Sequence, residues 1–129
     1  MREGYYAVNV LVKSPEGIPL VRDPKKPIWC WKFPGGGSQE NELPENTAIR
    51  ETEEETGIIL KKKNLKLLYK EDRGTHIFLF FEAKAPSSEN LKKIGNDDEE
   101  VKVFSLDEIK SMKDFFPNHR KVLEKLEII

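Results

Sequence analysis

The sequence predicts an α/β protein in which helices pack on a mixed β-sheet. Short segments rich in Tyr, Val, Ile and Phe recur in both halves of the chain and are typical of strands. A segment with helical signals at both ends lies between them, and an amphipathic segment follows the last predicted strand. With 129 residues, the chain has room for one domain, which we place at 1–129.

The first half contains three predicted strands. Residues 5–12 are rich in Tyr and Val and roughly alternate in polarity, which predicts a strand. Turn-forming residues follow at 14–17, and 18–22 predicts a second strand that closes a hairpin with the first. At 29–33 aromatic residues alternate with Cys and Lys, which predicts a third short strand. A proline and three glycines at 34–37 end it, and we expect this stretch to be a loop.

The second half contains three more predicted strands. Residues 65–70 and 76–83 predict a pair joined by a turn at 72–74, and 76–83 has the strongest β signal of the chain. The polar stretch 85–96 predicts a loop, and a last short strand is predicted at 101–104.

The main helix is predicted over 43–56. Pro44 suits the first turn of a helix, and Gly57 lies where a left-handed residue would terminate it. A short helix is predicted after Ser105, because Glu108 completes a capping box with it.

The last segment predicts an amphipathic helix that covers the sheet. It follows Pro117 and carries three apolar residues on one side, Val122, Leu123 and Leu126. His119 lies near this helix without an evident partner, so we expect it to have no role in a functional site.

Composition excludes several classes of function. The chain has 22 Lys and Arg against 23 Asp and Glu, a net charge of −1, so no overall field attracts a nucleic acid polymer or an anionic membrane. The longest apolar run, 77–81, is far shorter than the roughly 20 residues of a membrane span. Cys30 is the single cysteine, and the first residues lack the apolar core of a signal peptide, so we expect a cytoplasmic location.

The main helix places acidic residues together. Glu51, Glu54 and Glu55 are spaced i, i+3 and i+4, so their carboxylates fall on one helix face. A different face is expected to turn to the core and carries Ile49, Thr52 and Thr56. Like charges at this spacing destabilise a helix by a few tenths of a kcal/mol per pair. The repulsion indicates either a solvated acidic surface or a binding site for a cation.

Two observations favour the cation site. Arg50 is the single basic residue within the acidic run, and the glycines at 35–37 come shortly before the helix. Glycines allow the backbone to approach a ligand closely. Carboxylate oxygens suit Mg²⁺ or Mn²⁺, and the sequence has no Cys and His cluster for zinc.

Gly36, Glu42 and the run 50–58, Arg-Glu-Thr-Glu-Glu-Glu-Thr-Gly-Ile, resemble the signature of the Nudix hydrolases, here at 36–58. The fixed charged and glycine positions match at their spacing. Thr52 departs from the pattern, because the family usually has a larger aliphatic residue there, and this bears on packing beneath the helix. The resemblance implies a Nudix-type α/β/α sandwich with a mixed sheet.

The resemblance also implies a chemistry and a set of metal ligands. Nudix enzymes hydrolyse a nucleoside diphosphate linked to another moiety, with divalent cations held by the signature glutamates. Carried over to this sequence, Glu54 and Glu55 are the principal ligands. Glu51 is a further ligand or the base that activates water, and the carbonyl of Gly35 is a nonacidic ligand. The implied cofactor is Mg²⁺, with Mn²⁺ as a possible substitute.

By the same resemblance, Arg50 and Glu42 orient the carboxylates through charge-assisted hydrogen bonds. We therefore expect catalysis to depend on Arg50 together with Glu51 and Glu54.

Family members often take one more acid from a loop before the last strands. Four residues in this chain are candidates for that role, and the sequence does not choose between them: Asp97, Asp98, Glu99 and Glu100. A solvated acidic loop is the alternative interpretation.

Candidates for substrate contact are weaker than the acidic cluster. They are two basic and two aromatic side chains, Arg22, Trp31, Lys32 and Phe78. Strand aromatics belong more often to the core than to a ligand platform, and single basic residues more often to the surface.

The leading functional hypothesis is a pyrophosphohydrolase of nucleoside triphosphates. Within the same enzyme class, ADP-ribose, other sugar nucleotides and dinucleoside polyphosphates are alternative substrates. A catalytically silent domain that binds a nucleotide and regulates a partner is the alternative from another class, although the intact acidic cluster argues against it. We expect a small-molecule nucleotide as the binding partner, and the resemblance leaves a homodimer open.

Overall fold

A computed structural model of the protein describes residues 5–25, 30–86, 91–96 and 98–129. In these described ranges the strands and α-helices are, in chain order, β1 Tyr6–Lys13, β2 Ile18–Arg22, β3 Gly35–Gly37, α1 Pro44–Thr56, β4 Leu65–Asp72, β5 Ile77–Lys84, β6 Glu100–Phe104, α2 Leu106–Ser111 and α3 Pro117–Lys125, and a short 3-10 helix, Lys62–Asn64, precedes β4. Within these residues no helix is both long enough and apolar enough to cross a membrane.

The larger sheet has four strands in the order β3-β1-β5-β4. β1 runs parallel to β5 and antiparallel to β3, whereas β4 and β5 form the predicted antiparallel pair. The sheet is therefore mixed, and the predicted α/β fold class is confirmed.

The predicted hairpin between the first two strands is wrong. Ser14 and Gly17 exchange two backbone hydrogen bonds of 3.1 Å, so the turn forms. Beyond it β2 leaves β1 and pairs along its whole length with β6, from Ile18 opposite Phe104 to Arg22 opposite Glu100. The physical reason is that both edges of β1 are already occupied, by β3 and by β5.

The predictions for 29–33 and for the glycines also need correction. Trp31 and Lys32 form isolated bridges to Phe115 and Val21 instead of a strand, and Trp29 lies outside the described residues. The glycines form β3, which we predicted as a loop because glycine has a low intrinsic strand preference. Close packing explains the strand: a Cβ atom on Gly35 would lie 1.9 Å from the carbonyl oxygen of Val8.

The larger sheet separates two apolar cores. Phe78 and Phe80 of β5 pack with Ile109 of α2 and with buried residues of α3. Leu79 and Phe81 point to the other face, where Ala48 of α1 covers them. Helices on both faces of one sheet produce the expected sandwich, and α1 carries the predicted cluster of Glu51, Glu54 and Glu55.

α1 begins and ends where the sequence predicts. Its first residue is Pro44, and Gly57 terminates it with a left-handed φ of 82° while donating its N–H to the carbonyl of Glu53. Thr52 and Thr56 are fully buried and Ile49 packs partly against the core, so the core face is also as expected.

The two C-terminal helices also follow their sequence signals. Ser105 accepts from the N–H of Glu108 at 3.1 Å, and the carboxylate of Glu108 accepts from the N–H of Ser105 at 2.8 Å. In α3 the apolar side is buried at Val122 and Leu123.

His119 has a hydrogen-bond partner that is not evident from the sequence. It is 6% exposed, and its Nδ1 accepts a hydrogen bond of 3.2 Å from the N–H of Phe33. Burial lowers the pKa of His119 to about 3, and the positive charges of Lys32 and Arg73 act in the same direction. His119 is therefore a neutral core residue that fixes the chain just before β3.

Thr52, the departure from the family signature, carries an unfavourable buried hydroxyl. Its Oγ1 finds no hydrogen-bond partner among the residues that the structure describes. The equally buried Thr56 differs, because its Oγ1 donates to the carbonyl of Thr52 at 2.7 Å and accepts from the N–H of Ile58 at 3.1 Å.

We predict that Thr52→Val raises the free energy of unfolding by about 1 kcal/mol, since it removes an unpaired buried hydroxyl without changing the side-chain shape. Thr56→Val is the matched control and should lower stability by a similar amount, because it breaks two hydrogen bonds. Urea unfolding of the three proteins measures both effects. A loss of stability in Thr52→Val would mean that the hydroxyl has a partner.

Candidate functional site

The acidic face of α1 lies against the glycine strand β3. The N–H of Gly35 donates a hydrogen bond of 2.8 Å to Oε1 of Glu55. A Cβ atom on Gly36 would lie 2.7 Å from the carboxyl carbon of Glu51, so this position admits only glycine unless the carboxyl moves. Two of the predicted ligand side chains thus contact the strand directly.

Arg50 links three separate parts of the site. Its Nε and Nη2 donate to the two carboxylate oxygens of Glu42 at 2.8 and 2.9 Å, and Nη2 also donates to the carbonyl of Gly37 at 3.1 Å. Its Nη1 donates to Oε1 of Glu51 at 2.9 Å and lies 3.3 Å from Oε2 of Glu54. One guanidinium therefore joins the preceding loop, β3 and the acidic face of α1.

Glu42 is held as a carboxylate by this arrangement. Hydrogen bonds from Arg50 are the main reason why the pKa of Glu42 falls to about 2. The N–H of Gln39 and the hydroxyl of Thr47 also donate to it, at 2.9 and 2.8 Å. Glu42 therefore stays charged and keeps the guanidinium in one orientation.

The pKa values of the carboxyl groups nearest β3 are shifted in the opposite direction, upwards. Glu55 is 9% exposed, and burial raises its pKa to about 8 despite the hydrogen bond from Gly35 and the charge of Lys32. Burial also raises the pKa of Glu51, against the lowering effect of Arg50. The buried carboxyl of Glu55 and the partly buried carboxyl of Glu51 are therefore costly to ionise together without further positive charge.

The structure separates the acidic residues of the following loop. Glu99 is 6% exposed, and its charge is one of the causes of the raised pKa of Glu55. Asp98 pairs with Lys25 at 3.1 Å, and Glu100 pairs with Arg22 at 3.0 Å. Asp97 lies outside the described residues. Of the three described candidates, Glu99 is the one whose charge acts on the acidic face of α1.

The chemistry of these side chains fits a hard divalent cation, although they are not arranged as a closed coordination shell. No group of three acidic, His or Cys side chains in the described ranges converges closely enough to surround a metal ion. Arg50 accounts for this, because its Nη1 draws Glu51 and Glu54 to itself. The fit rests on oxygen donors whose burial disfavors charge, an unfavourable state that a bound cation would relieve.

The structure places the four residues considered for substrate contact in three different parts of the molecule. Lys32 lies near the acidic face, since its charge acts on Glu55. The guanidinium of Arg22 stacks 4.3 Å from the ring of Trp31, beside a groove of about 430 Å³. Phe78 is 2% exposed and packs in the core.

A second groove, of about 510 Å³, runs between β4 and α3. Three basic side chains and one acid share it with polar, aromatic and apolar neighbours, and its lining residues are Tyr69, Glu71, Arg73, Asn118, Lys121, Val122 and Lys125. The sequence did not indicate this groove, because its residues come from segments that meet only in the folded chain.

The fold and the site define a small α/β protein built around one carboxylate-bearing helix that faces a glycine strand. The family model described as NUDIX domain matches residues 5–126. The chain therefore belongs to the Nudix family.

Curated relatives carry different activities in their names. An ADP-ribose pyrophosphatase of Methanocaldococcus jannaschii is 31% identical over 108 residues, which cover 80% of this chain and 63% of that protein. A Mycobacterium tuberculosis protein that is named as an 8-oxo-dGTP diphosphatase is 36% identical over 61 residues. These residues cover 42% of this chain and 28% of that protein. The chain thus spans less than two thirds of the length of these relatives.

Solved structures support the fold. A MutT structure, from work on the proteins of Aliivibrio salmonicida and Vibrio cholerae, superposes with a TM-score of 0.78 and 20% identity. The superposition covers 96% of this chain and 97% of that chain. At this identity the likeness concerns the fold alone.

The central position of Arg50 predicts that Lys cannot replace it. Arg50→Lys keeps the charge but loses the two-pronged contact with Glu42, and we expect the free energy of unfolding to fall by about 1 to 2 kcal/mol. Lys25→Ala is the control: Lys25 is paired with Asp98 at the surface, and breaking that pair should cost less than about 0.5 kcal/mol. Equal losses in chemical unfolding would contradict a central role for Arg50.

The stability difference between wild type and Arg50→Lys should depend on pH in a definite direction. Because the pKa of Glu42 is lowered from 4.5 to about 2 by folding, its stabilising effect is complete above pH 4.5 and is lost as the pH falls through 2. The difference between wild type and Arg50→Lys should therefore be constant near neutral pH and shrink below pH 4.5.

Proposed function

We propose that the protein is a divalent-cation-dependent hydrolase that cleaves a diphosphate linkage in a small nucleotide. The observation that carries the proposal is the buried carboxyl of Glu55 and the partly buried carboxyl of Glu51, both set against a glycine strand in a member of the Nudix family. A purely structural helix gains nothing from burying acids whose ionisation is disfavored.

In this proposal the acidic face of α1 holds the cation. Glu54 and Glu55 are the principal ligands, the carbonyl of Gly35 is a nonacidic ligand, and Glu51 is a further ligand or the base that takes a proton from water. The N–H of Gly35 supports this assignment, since it fixes the orientation of the Glu55 carboxyl at 2.8 Å. Glu54 is the most accessible of the three acids, with a side chain 41% exposed.

A bound Mg²⁺ or Mn²⁺ would neutralise the charge of a diphosphate and lower the pKa of a coordinated water. The residues of the chain provide the geometry for this. The helical spacing puts Glu51 and Glu54 on one face, Arg50 contacts both carboxylates there, and Glu42 keeps Arg50 in place. Their role is to orient the acids, which is how partners behind metal ligands usually contribute.

We assign the additional acid of the site to Glu99. Its burial and its electrostatic effect on Glu55 support this choice. Glu99 would act as a further ligand or as a proton acceptor, and Asp97 stays an untested candidate.

The substrate of first choice is a nucleoside triphosphate, with ADP-ribose and other nucleoside diphosphate derivatives as the alternative. The name of the Mycobacterium tuberculosis relative supports the triphosphate, and the name of the Methanocaldococcus jannaschii relative supports ADP-ribose. The groove between β4 and α3 is a candidate position for part of the substrate, because Arg73, Lys121 and Lys125 supply positive charge there. A cytoplasmic location and a homodimer stay predictions from the sequence.

We predict that hydrolysis requires a divalent cation and releases a nucleoside monophosphate or pyrophosphate. The purified protein would be incubated with Mg²⁺ or Mn²⁺ and a panel containing nucleoside triphosphates, 8-oxo-dGTP, ADP-ribose and dinucleoside polyphosphates, and the products would be separated by anion exchange. Turnover in excess EDTA would contradict the metal requirement. Binding of a nucleotide without turnover of any panel member would favour the regulatory alternative.

A second prediction compares two acids of α1. Glu51 contacts Arg50 and β3, whereas Glu53, two residues further on, is exposed on another side of the helix. Glu51→Gln should lower kcat by about a hundredfold or more, because it removes a group at the reacting centre. Glu53→Gln should leave kcat within about twofold of wild type.

The two variants are matched in charge change and in side-chain size, so position is the remaining difference. Thermal midpoints measured in the same Mg²⁺ buffer identify any loss that comes from unfolding. Equal losses of kcat, or a larger loss in Glu53→Gln, would remove Glu51 from the site.

A further inference from the structure

The segment that carries Glu99 is bound to the C-terminal end of α1. The N–H of Lys92 donates to the carbonyl of Thr56 at 2.8 Å, and the N–H of Asn96 donates to the carbonyl of Glu54 at 3.1 Å. The ammonium of Lys92 adds a contact of 3.3 Å to the carbonyl of Glu54 and one of 2.8 Å to Oδ1 of Asn96. These contacts tie the segment to the same helix turn that presents the acids.

The helix end needs such partners for two physical reasons. The last carbonyls of a helix have no partner within the helix, and they form the negative end of its dipole. The last turn of α1 contains no basic residue of its own. Lys92 therefore supplies from another segment the positive charge that this end lacks, close to Glu54 and Glu55.

Gly95 is the point of closest approach between the segment and the helix. A Cβ atom there would lie 2.8 Å from the carbonyl oxygen of Glu55 and 3.2 Å from its Cα, both backbone atoms that cannot turn aside. The same atom would lie 3.0 Å from Oε1 of Glu99. Gly95 is buried, so the contact is not relieved towards solvent.

Gly95 also begins the turn that leads to Glu99. Its N–H donates to the carbonyl of Glu99 at 2.8 Å, and its own carbonyl accepts from the N–H of Asp98 at 3.1 Å. Because these hydrogen bonds connect Gly95 to Asp98 and Glu99, a displacement of Gly95 away from α1 should also move Glu99.

We propose that Gly95 is a positioning residue that sets the separation between Glu99 and Glu55, and thereby the affinity of the site for a divalent cation. This inference rests on the proposed function, because it assumes that the acids of α1 bind the cation together with Glu99. Gly95 contributes no ligand atom. It acts by allowing the backbone to approach α1 more closely than any other residue would.

The test is a double-mutant cycle on Mn²⁺ affinity, measured with the cation alone by electron paramagnetic resonance of free and bound Mn²⁺. The proteins are wild type, Gly95→Ala, Glu99→Gln and the double variant. Each single change should weaken Mn²⁺ binding by about tenfold, the range seen when groups supporting a metal site are altered. The double variant should bind no more weakly than Glu99→Gln alone, because Gly95 acts through Glu99.

Gly74→Ala is the matched control. A Cβ atom on Gly74 has nothing within 4 Å, so the substitution can change stability through its φ of 84° but should leave Mn²⁺ affinity unchanged. If Gly95→Ala does not fold, Asn96→Ala replaces it in the cycle. That change removes the side-chain partner of Lys92 without altering charge, and we expect a loss of about threefold that likewise disappears in the Glu99→Gln background.

Three results would overturn the inference. Gly95→Ala could bind Mn²⁺ as wild type does, or it could weaken binding equally with and without Glu99, which would mean direct damage at Glu55. Glu99→Gln could also leave the affinity unchanged. In each case Glu54→Gln distinguishes the two proposals, because its loss of Mn²⁺ affinity would uphold the proposed function while the role of Gly95 fails.

Discussion

The guanidinium of Arg50 is the interaction on which the geometry of the site depends. It joins Glu42 in the loop before α1, the carbonyl of Gly37 in β3, and the carboxylates of Glu51 and Glu54. Without it, the acids on the helix would repel each other and turn towards solvent, because like charges one turn apart destabilise a helix. A single side chain therefore holds an arrangement of acids that the helix alone would not maintain.

The charged forms of the site's carboxyls are unfavourable at their positions, so groups from other segments are needed to stabilise them. The pKa of Glu55 is raised to about 8 by burial, so the folded protein loses stability when that group is charged without a partner. Two interactions oppose this effect: the hydrogen bond from the N–H of Gly35 and the nearby charge of Lys32. Apolar cores lie on both faces of the sheet, and one of them packs Ala48 of α1 against β1 and β5.

Local sequence signals predicted the helices well and the strand pairing only in part. Pro44 and Gly57 mark α1 because proline lacks the N–H that a first turn leaves unpaired, and glycine accepts a left-handed φ without strain. The capping box at Ser105 is equally local. By contrast, β2 pairs with β6 because β1 has no free edge. The sequence of β2 itself does not indicate this. The sequence does not predict the strand formed by the glycines, because glycine has a low strand preference and the close packing of Gly35 on β1 arises only in the folded chain.

The sequence by itself determined the fold class, the helix that carries the acids and the family resemblance, because these follow from residue types and spacings within continuous stretches of the chain. The tertiary structure decided which acid of the following loop reaches that helix, what holds Arg50, and why His119 is a core residue bound to Phe33. These depend on segments far apart in the chain. Burial and charge at such contacts are properties of the packed molecule, and a pattern of residue types does not contain them.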